Sequence, residues 1–357
     1  MRRLLLCGVV ISACFRPASV RTAADASVGH LHAGAISIDV DDGLATLHPL
    51  TDSSFWMWAQ SPVWRAHIDA KTAVTIDLDL RNLLPDAKLR LDGQEVPALS
   101  PDAALAVTRK RARLDLSAGT HTLEVGPDDA TSAAPFRFGL LSDVQEAIGR
   151  VGDIYSLMAE DPSLRFVMSA GDLADKGKPE ELAHFQDLLL QLPVPFFAAC
   201  GNHDIASSET AFRDVFGRGN FHFVYRGVHF TVMDSASATL DPEAYSDLEG
   251  WLNLGQSSVH VTVMHVPPFD PVGGRNASFG DRDEAAMLVE KLARGNVDLS
   301  LYGHIHSFYR FEHAGIPVVI SGGGGAHPEK LDDIGRHYVT VDVSRAGVIA
   351  TAMVRVD

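Results

Sequence analysis

The sequence predicts two folded units in tandem, a small all-β, sandwich-like domain followed by an α/β domain. Three observations carry this reading. Between Ala35 and Gly126, short segments of alternating polarity are separated by Gly, Pro and Asp turn signals. From Phe136 onward, strand-like runs alternate with helix-like runs at the interval of a strand–helix–strand crossover. The later strands also end abruptly in carboxylates, amides and imidazoles. A length of 357 residues suits two domains, because single cores rarely grow beyond roughly 250–300 residues.

In chain order, residues 1–14 read as a targeting segment. Met1-Arg2-Arg3 is a basic start, and Leu4 to Ala13 is an apolar run well short of the ~20 residues that span a bilayer. Ile11-Ser12-Ala13-Cys14 resembles a bacterial lipobox, in which Cys14 would carry lipid and begin the mature chain. The expected location is therefore exported, periplasmic or cell-envelope, with membrane attachment through a lipid at Cys14. Plain secretion after cleavage at a small-residue site is the simpler alternative. Cys7 would be lost with the leader, which leaves Cys200 without a disulfide partner.

Residues 15–34 are small and polar and read as a tether. The β domain is assigned to 35–126, with strands expected at "AISIDV", "TAVTIDLDL", "AKLRLDG", "ARLDLSAG" and "THTLEVG". The basic cluster Arg109 to Arg113 is expected on a solvated strand face. Residues 127–135 form a linker by composition, and the α/β domain occupies 136–357. There "FRFGLL", "LRFVMSAGD" and "VPFFAACGNHD" are strands. Between them, Ile148, Val151, Tyr155 and Met158 mark one helix face, and Leu182, Phe185, Leu189 and Leu192 mark another, with Pro179 at its first turn. Four more strands follow, at "GVHFTVMDS", "VHVTVMH", "VDLSLYGHIH" and "PVVISGGGG", with a helix at "DEAAMLVEKLARG".

The chemistry is concentrated at the strand ends: Asp143 and Gln145, Gly171-Asp172, Gly201-Asn202-His203-Asp204, His265, and Gly303-His304-Ile305-His306. Ligand sites of α/β sheets lie beyond the carboxyl ends of the strands, so five segments would converge on one locus. Side chains at i and i+2 of an extended segment point the same way, so Asp143 and Gln145 are expected to aim at one spot. No thiolate is present, and the donor set suits first-row metals such as Mn, Fe or Zn. A lone Gly-Asp or Asn-His-Asp is usually a turn or a cap. Specificity lies in the order and spacing, with Asp172 29 residues after Asp143 and Asn202 a further 30.

The run D-x-Q, G-D-x-x-D, G-N-H-D, H and G-H-x-H resembles the calcineurin-like metallophosphoesterase superfamily. The resemblance implies an αββα sandwich, two divalent or trivalent transition-metal ions, and hydrolysis of phosphoesters. Carried over, one metal would be held by Asp143, Gln145, Asp172 and His306, and the other by Asp172, Asn202, His265 and His304. A hydroxide shared by the metals would attack phosphorus. His203 would protonate the leaving group, and Asp175 would orient His203. Asp204 is expected to act as a cap rather than a ligand. The usual motif is D-x-H. A carboxamide in place of that histidine leaves the charge unchanged but is a harder, weaker donor, so the first site should favour Mn or Fe.

A formal net charge of −16, from 46 acidic and 30 basic residues, disfavours a nucleic-acid groove and leaves a small phosphorylated substrate as the expected partner. A phosphomonoester, a phosphodiester or a nucleotide pyrophosphate would all fit. Two loops, "SASATLDPEAYSDLEG" and "PPFDPVGGRNASFG", are expected to set specificity, with Arg275 as one cation for extra phosphates. The rival reading is an exported surface-binding lipoprotein with a vestigial metal site.

Overall fold

The computed structural model describes residues 18–99, 106–273, 276–330 and 334–356. The leader, Cys14 and Arg275 lie outside the described residues. The all-β part is a sandwich of two sheets. One runs His30–Ala33, Ile36–Val40, Trp64–Ala70, Gly119–Gly126, Lys88–Leu91, Gln94–Val96 in spatial order. The other runs Ala45–Thr51, Ser54–Ala59, Val74–Arg81, Lys110–Leu116. Strict alternation builds it. Ile36 and Ile38, Ile76, Leu78 and Leu80, and Ala112 and Leu114 are buried, while the residues between them are exposed or half-buried. The basic cluster lies along the outer face of Lys110–Leu116, where Arg113 pairs with Asp77 and Arg109 with Asp79, so neighbouring carboxylates neutralise much of its charge.

Residues 136–356 form an α/β sandwich of four layers. A five-stranded sheet runs Phe196–Ala198, Leu164–Ser169, Phe136–Leu140, His337–Ser344, Gly347–Arg355. Its first three strands are parallel and its last three antiparallel. A six-stranded sheet runs Phe221–Tyr225, Val228–Met233, Val259–Met264, Leu299–Tyr302, Ile316–Ser321, Phe308–His313, with a parallel centre and antiparallel edges. Helices Gly152–Ala159 and Pro179–Leu189 cover the first sheet; Pro242–Gly255 and Arg282–Arg294 cover the second. Alternation on Phe136–Leu140 and from Phe166 onward sends Phe138, Leu140, Phe166 and Met168 between the sheets and Val167 toward the helices, and a register shift between Leu164 and Phe166 lets Leu164 join the helix side as well. Between the sheets, Phe138 stacks on Phe166 at 5.6 Å, and Phe230 meets Phe138 edge-on at 5.3 Å. Each such contact adds ~0.5–1.5 kcal/mol beyond area burial.

Three expectations are corrected here. Residues 18–34 are not a tether, since Ala18–Asp25 is a helix and His30–Ala33 is a strand of the sandwich. Arg21, which is 6% exposed, reaches from that helix to Asp234 (2.5 Å) and Glu209 (2.7 Å), and Asp25 accepts from the backbone N–H groups of Gly219 and Asn220. The small polar composition reflects a buried ionic seam rather than flexibility. The stretch "SASATLDPEAYSDLEG" is largely not a loop. Asp241 caps the helix Pro242–Gly255 by accepting from Glu243 N–H, Pro242 opens it, and Ala244, Leu248 and Leu252 form its buried stripe. The helix expected after Phe136–Leu140 is split into a 3-10 turn, Gln145–Arg150, and the helix Gly152–Ala159.

The two parts are joined by more than the chain. The carboxamide of Asn82 donates to the carbonyls of Ala59 and Phe196, and its oxygen accepts from Phe196 N–H, all at 2.8 Å. This blunts the free edge of the five-stranded sheet. Residues 127–135 are pinned by Arg226, which donates to the Pro135 carbonyl and pairs with Asp129.

Candidate metal centre

The strand Phe136–Leu140 stops three residues before Asp143, so the extended geometry expected for Asp143 and Gln145 is absent. Both residues instead adopt left-handed backbone angles, φ 60° and 46°. Asp172 (φ 57°) and His304 (φ 68°) do the same. Such conformations are costly for residues with a Cβ and cluster where a site requires them. Here they fold four strand-end side chains back toward one point.

Close backbone approach completes the cradle. A Cβ on Gly201 would stand 2.2 Å from Asp172 N and Oδ1, and one on Gly303 would stand 2.6 Å from Asp143 Oδ2. The glycines of G-N-H and G-H-x-H are therefore required by the carboxylates they face. Asp204, fully buried, accepts from the backbone N–H groups of Asp172, Leu173, Ala174 and Gly201 at 2.9–3.0 Å. It ties the Asp172 turn to the Asn202 turn and does not face the donor cluster.

Two groups of donors meet at the centre. Asp172, His265 and His304 bring ligand atoms within 4.8 Å of one another, and so do Asp143, Asp172 and His306. Asp172 belongs to both. Its Oδ2 lies 3.3 Å from His265 Nε2, and its Oδ1 accepts from His203 N–H at 2.8 Å. Asn202 Oδ1 lies 2.9 Å from His265 Nε2, and His304 Nδ1 lies 3.2 Å from the same nitrogen. His306 Nε2 is 3.5 Å from Asp143 Oδ1.

The imidazoles are oriented from behind. His265 Nδ1 donates to the Ala170 carbonyl and His306 Nδ1 to the His327 carbonyl, each at 2.7 Å. With Nδ1 as the donor, Nε2 of each ring points inward with its lone pair. At His265 this leaves a carboxylate oxygen, an amide oxygen and an imidazole nitrogen converging on another acceptor. Such a set calls for positive charge. Burial acts to lower His265, yet Asp172 and Asp143 outweigh it and push the ring up to about 9. Burial acts to raise Asp172, but the His265, His203 and His304 charges hold it below the ordinary carboxylate range. Burial, reinforced by Asp172, raises Asp143. A bound metal cation supplies the same compensation and displaces the proton. The residues fit the expected group.

Two expected roles differ in detail. Gln145 turns its carboxamide nitrogen inward, donating to Asp172 Oδ2 at 2.7 Å and lying 3.3 Å from His306 Nε2. Ligation through its oxygen would require Oε1 to take the place that Nε2 holds in these contacts. Asp175 does not orient His203 through its carboxylate, which stands 3.9 Å away. His203 Nδ1 donates instead to the Asp175 backbone carbonyl at 2.7 Å, because the tight turn after Asp172 brings the main chain closer than the side chain. No sequence signal marks the Ala170, His327 and Asp175 carbonyls that hold the rings, since any residue supplies one.

Around the centre, Gly324 N–H donates to the Ser142 carbonyl and Ala326 N–H to the Asp143 carbonyl, so the "SGGGGA" loop is stitched to the Asp143 turn. A cavity of about 600 Å3 lies beside His306, with Val272, Ala277, Ile305, Tyr309 and Pro328 as its apolar lining and Asp270, Glu329 and Lys330 as its charged lining. Part of the expected specificity loop "PPFDPVGGRNASFG" forms one of its walls. His222 and His229 bond to each other at 2.9 Å under Trp251 and form no part of the centre.

Paired Asp/His groups at the strand ends of an αββα sandwich define the metallophosphoesterase class of fold. Residues 136–308 match the family model of the calcineurin-like phosphoesterases, and this part of the chain belongs to that family. A curated 3',5'-cyclic-nucleotide phosphodiesterase of Nostoc sp. strain PCC 7120 is 26% identical over 163 residues, covering 42% of this chain and 58% of that relative. The chain thus spans little more than half of its length. A purple acid phosphatase from seeds of yellow lupin (Lupinus luteus) shares the fold, with a TM-score of 0.53 at 15% identity over 82% of this chain and 72% of its own. That share exceeds what residues 136–357 provide, so the likeness reaches into the β-sandwich.

Proposed function

We propose that the chain is a metal-dependent hydrolase of phosphoesters acting on a small phosphorylated substrate. The observation that carries the proposal is the pair of donor groups sharing Asp172. In this reading Asp143, Gln145, Asp172 and His306 hold one transition-metal ion, and Asp172, Asn202, His265 and His304 hold the other. Bound there, the ions would supply Lewis acidity toward phosphoryl oxygens and a water of lowered pKa. Asp172 sets their common position, and its left-handed turn, fixed by Asp204, keeps that position rigid. His203, adjacent to Asn202, is held through Nδ1 with Nε2 free to carry a proton to the leaving oxygen. The acidic net charge supports a small ester over a nucleic acid. The basic start, the short apolar run and the lipobox-like Cys14 support export and lipid attachment.

The test is an activity panel of a phosphomonoester, a phosphodiester and a pyrophosphate ester with Mn2+, Fe2+ and Zn2+. Metal-dependent turnover of at least one class, abolished by chelation and restored by metal, is expected. Tightly bound metal without turnover of any class supports the binding-protein reading instead.

A further inference from the structure

The 3-10 turn that begins at Gln145 ends at Arg150, and the two ends have different environments. Gln145 is buried against Asp172, whereas Arg150 is exposed and lines a cavity of about 210 Å3 that shares His306 with the metal centre. The other walls include Gly322, Gly323 and Gly325 of the glycine-rich loop, His327, and Arg336. Among the described residues, the lining contains two arginines and two histidines and no carboxylate, in a chain with 46 acidic residues against 30 basic ones. Glu146 faces His327 at 3.5 Å, and Asp153 takes both Nη1 (2.5 Å) and Nη2 (2.6 Å) of Arg336.

The two arginines therefore play different parts. Arg336 is neutralised by Asp153, and its Nη2 also donates to the Arg150 carbonyl at 3.1 Å, which fixes the Arg150 backbone. The Arg150 guanidinium has no carboxylate partner among the described residues, so its five donors are open to an anion. The cavity is smaller than the ~300–1,000 Å3 typical of pockets for drug-sized ligands, and suits one compact oxyanion.

We infer that Arg150 is a specificity-determining residue that binds a second anionic group of the substrate, next to the phosphoryl group at the metal centre. The inference rests on the phosphoesterase reading, and its chemistry is shared by a distal phosphate and a carboxylate.

Equilibrium binding separates the inference from turnover. Methylenediphosphonate, phosphonoacetate and methylphosphonate are titrated into the metal-loaded protein and its Arg150→Gln variant, with thermal melting as a fold control. Methylphosphonate should bind both proteins within twofold. At least one two-anion probe should bind the variant tenfold or more weakly, and Arg150→Lys should recover part of the loss. Loss confined to methylenediphosphonate identifies a phosphate as the second group, and loss confined to phosphonoacetate identifies a carboxylate. Equal weakening of all three probes, or of none, overturns the inference. Failure of the activity panel with these shifts intact would count against hydrolysis and leave the anion site standing.

Discussion

Gln145 and Asp172 are joined by a 2.7 Å hydrogen bond in which the carboxamide donates to the carboxylate shared by both donor groups. A histidine at this position would offer a lone pair once its other nitrogen was held. A glutamine must choose between steadying Asp172 and ligating. Gln145→His should therefore bind Zn2+ more tightly at the Asp143 side, about tenfold or more, and lose relative preference for Mn2+ or Fe2+. Competitive metal titration checks this, and an unchanged preference would remove Gln145 from the account of metal choice.

His203 touches the centre only through its backbone, which donates to Asp172. Its ring is held at Nδ1 by the Asp175 carbonyl; in the proposed reading Nε2 delivers the proton, and a positioned general acid is worth roughly 10²–10⁴ in rate. His203→Ala should lower turnover of an alkyl phosphoester by that factor with metal content intact. A nitrophenyl ester, whose leaving group needs no proton, should lose much less. Equal losses on both would show that His203 does not act as the acid.

Arg21 is the cation of the buried seam between the first helix and the α/β part. Breaking a buried pair by removing one partner costs about 3–5 kcal/mol, because the buried Asp234 carboxylate would lose its guanidinium partner. Arg21→Ala should lower the melting temperature by several degrees, and deletion of residues 18–28 should do at least as much. A truncated protein with unchanged melting would restore the tether reading.

A histidine cluster away from the metal centre gives a pH dependence of defined sign. Burial lowers His222 to about 4 and His260 to about 3, below the ordinary value of ~6.5. Between those limits the unfolded chain binds more protons than the folded one, so stability is full above pH ~6.5 and is lost as pH falls toward 4. Melting temperature against pH should show this slope, and His222→Gln should flatten it. An unchanged slope in the variant would assign the acid sensitivity elsewhere.

The sequence made the site more legible than the path to it. Order and spacing of G-D, G-N-H-D and G-H-x-H reflect crossover lengths, which the chain writes directly, and the donors they mark do meet. What single letters do not write is main-chain geometry. Asp143 and Gln145 converge through left-handed turns rather than along a strand, and three rings are held by carbonyls that any residue could supply. Composition misled at 18–34, where Arg21 and Asp25 find buried partners about 200 residues away. At Pro242–Gly255 the signals were present, in the Asp241 cap, the Pro242 start and the stripe of Ala244, Leu248 and Leu252. The Ser, Ala and Thr of "SASAT" that precede this cap carry a loop-like composition that masks it.

Whether Asp172 is common to two metal positions is decided by elemental analysis of the purified protein and three variants. The native protein should carry about two transition-metal ions per chain, His265→Ala and His306→Ala about one each, and a folded Asp172→Asn close to none. A native protein without metal, or a folded Asp172→Asn that keeps its full complement, would contradict the account.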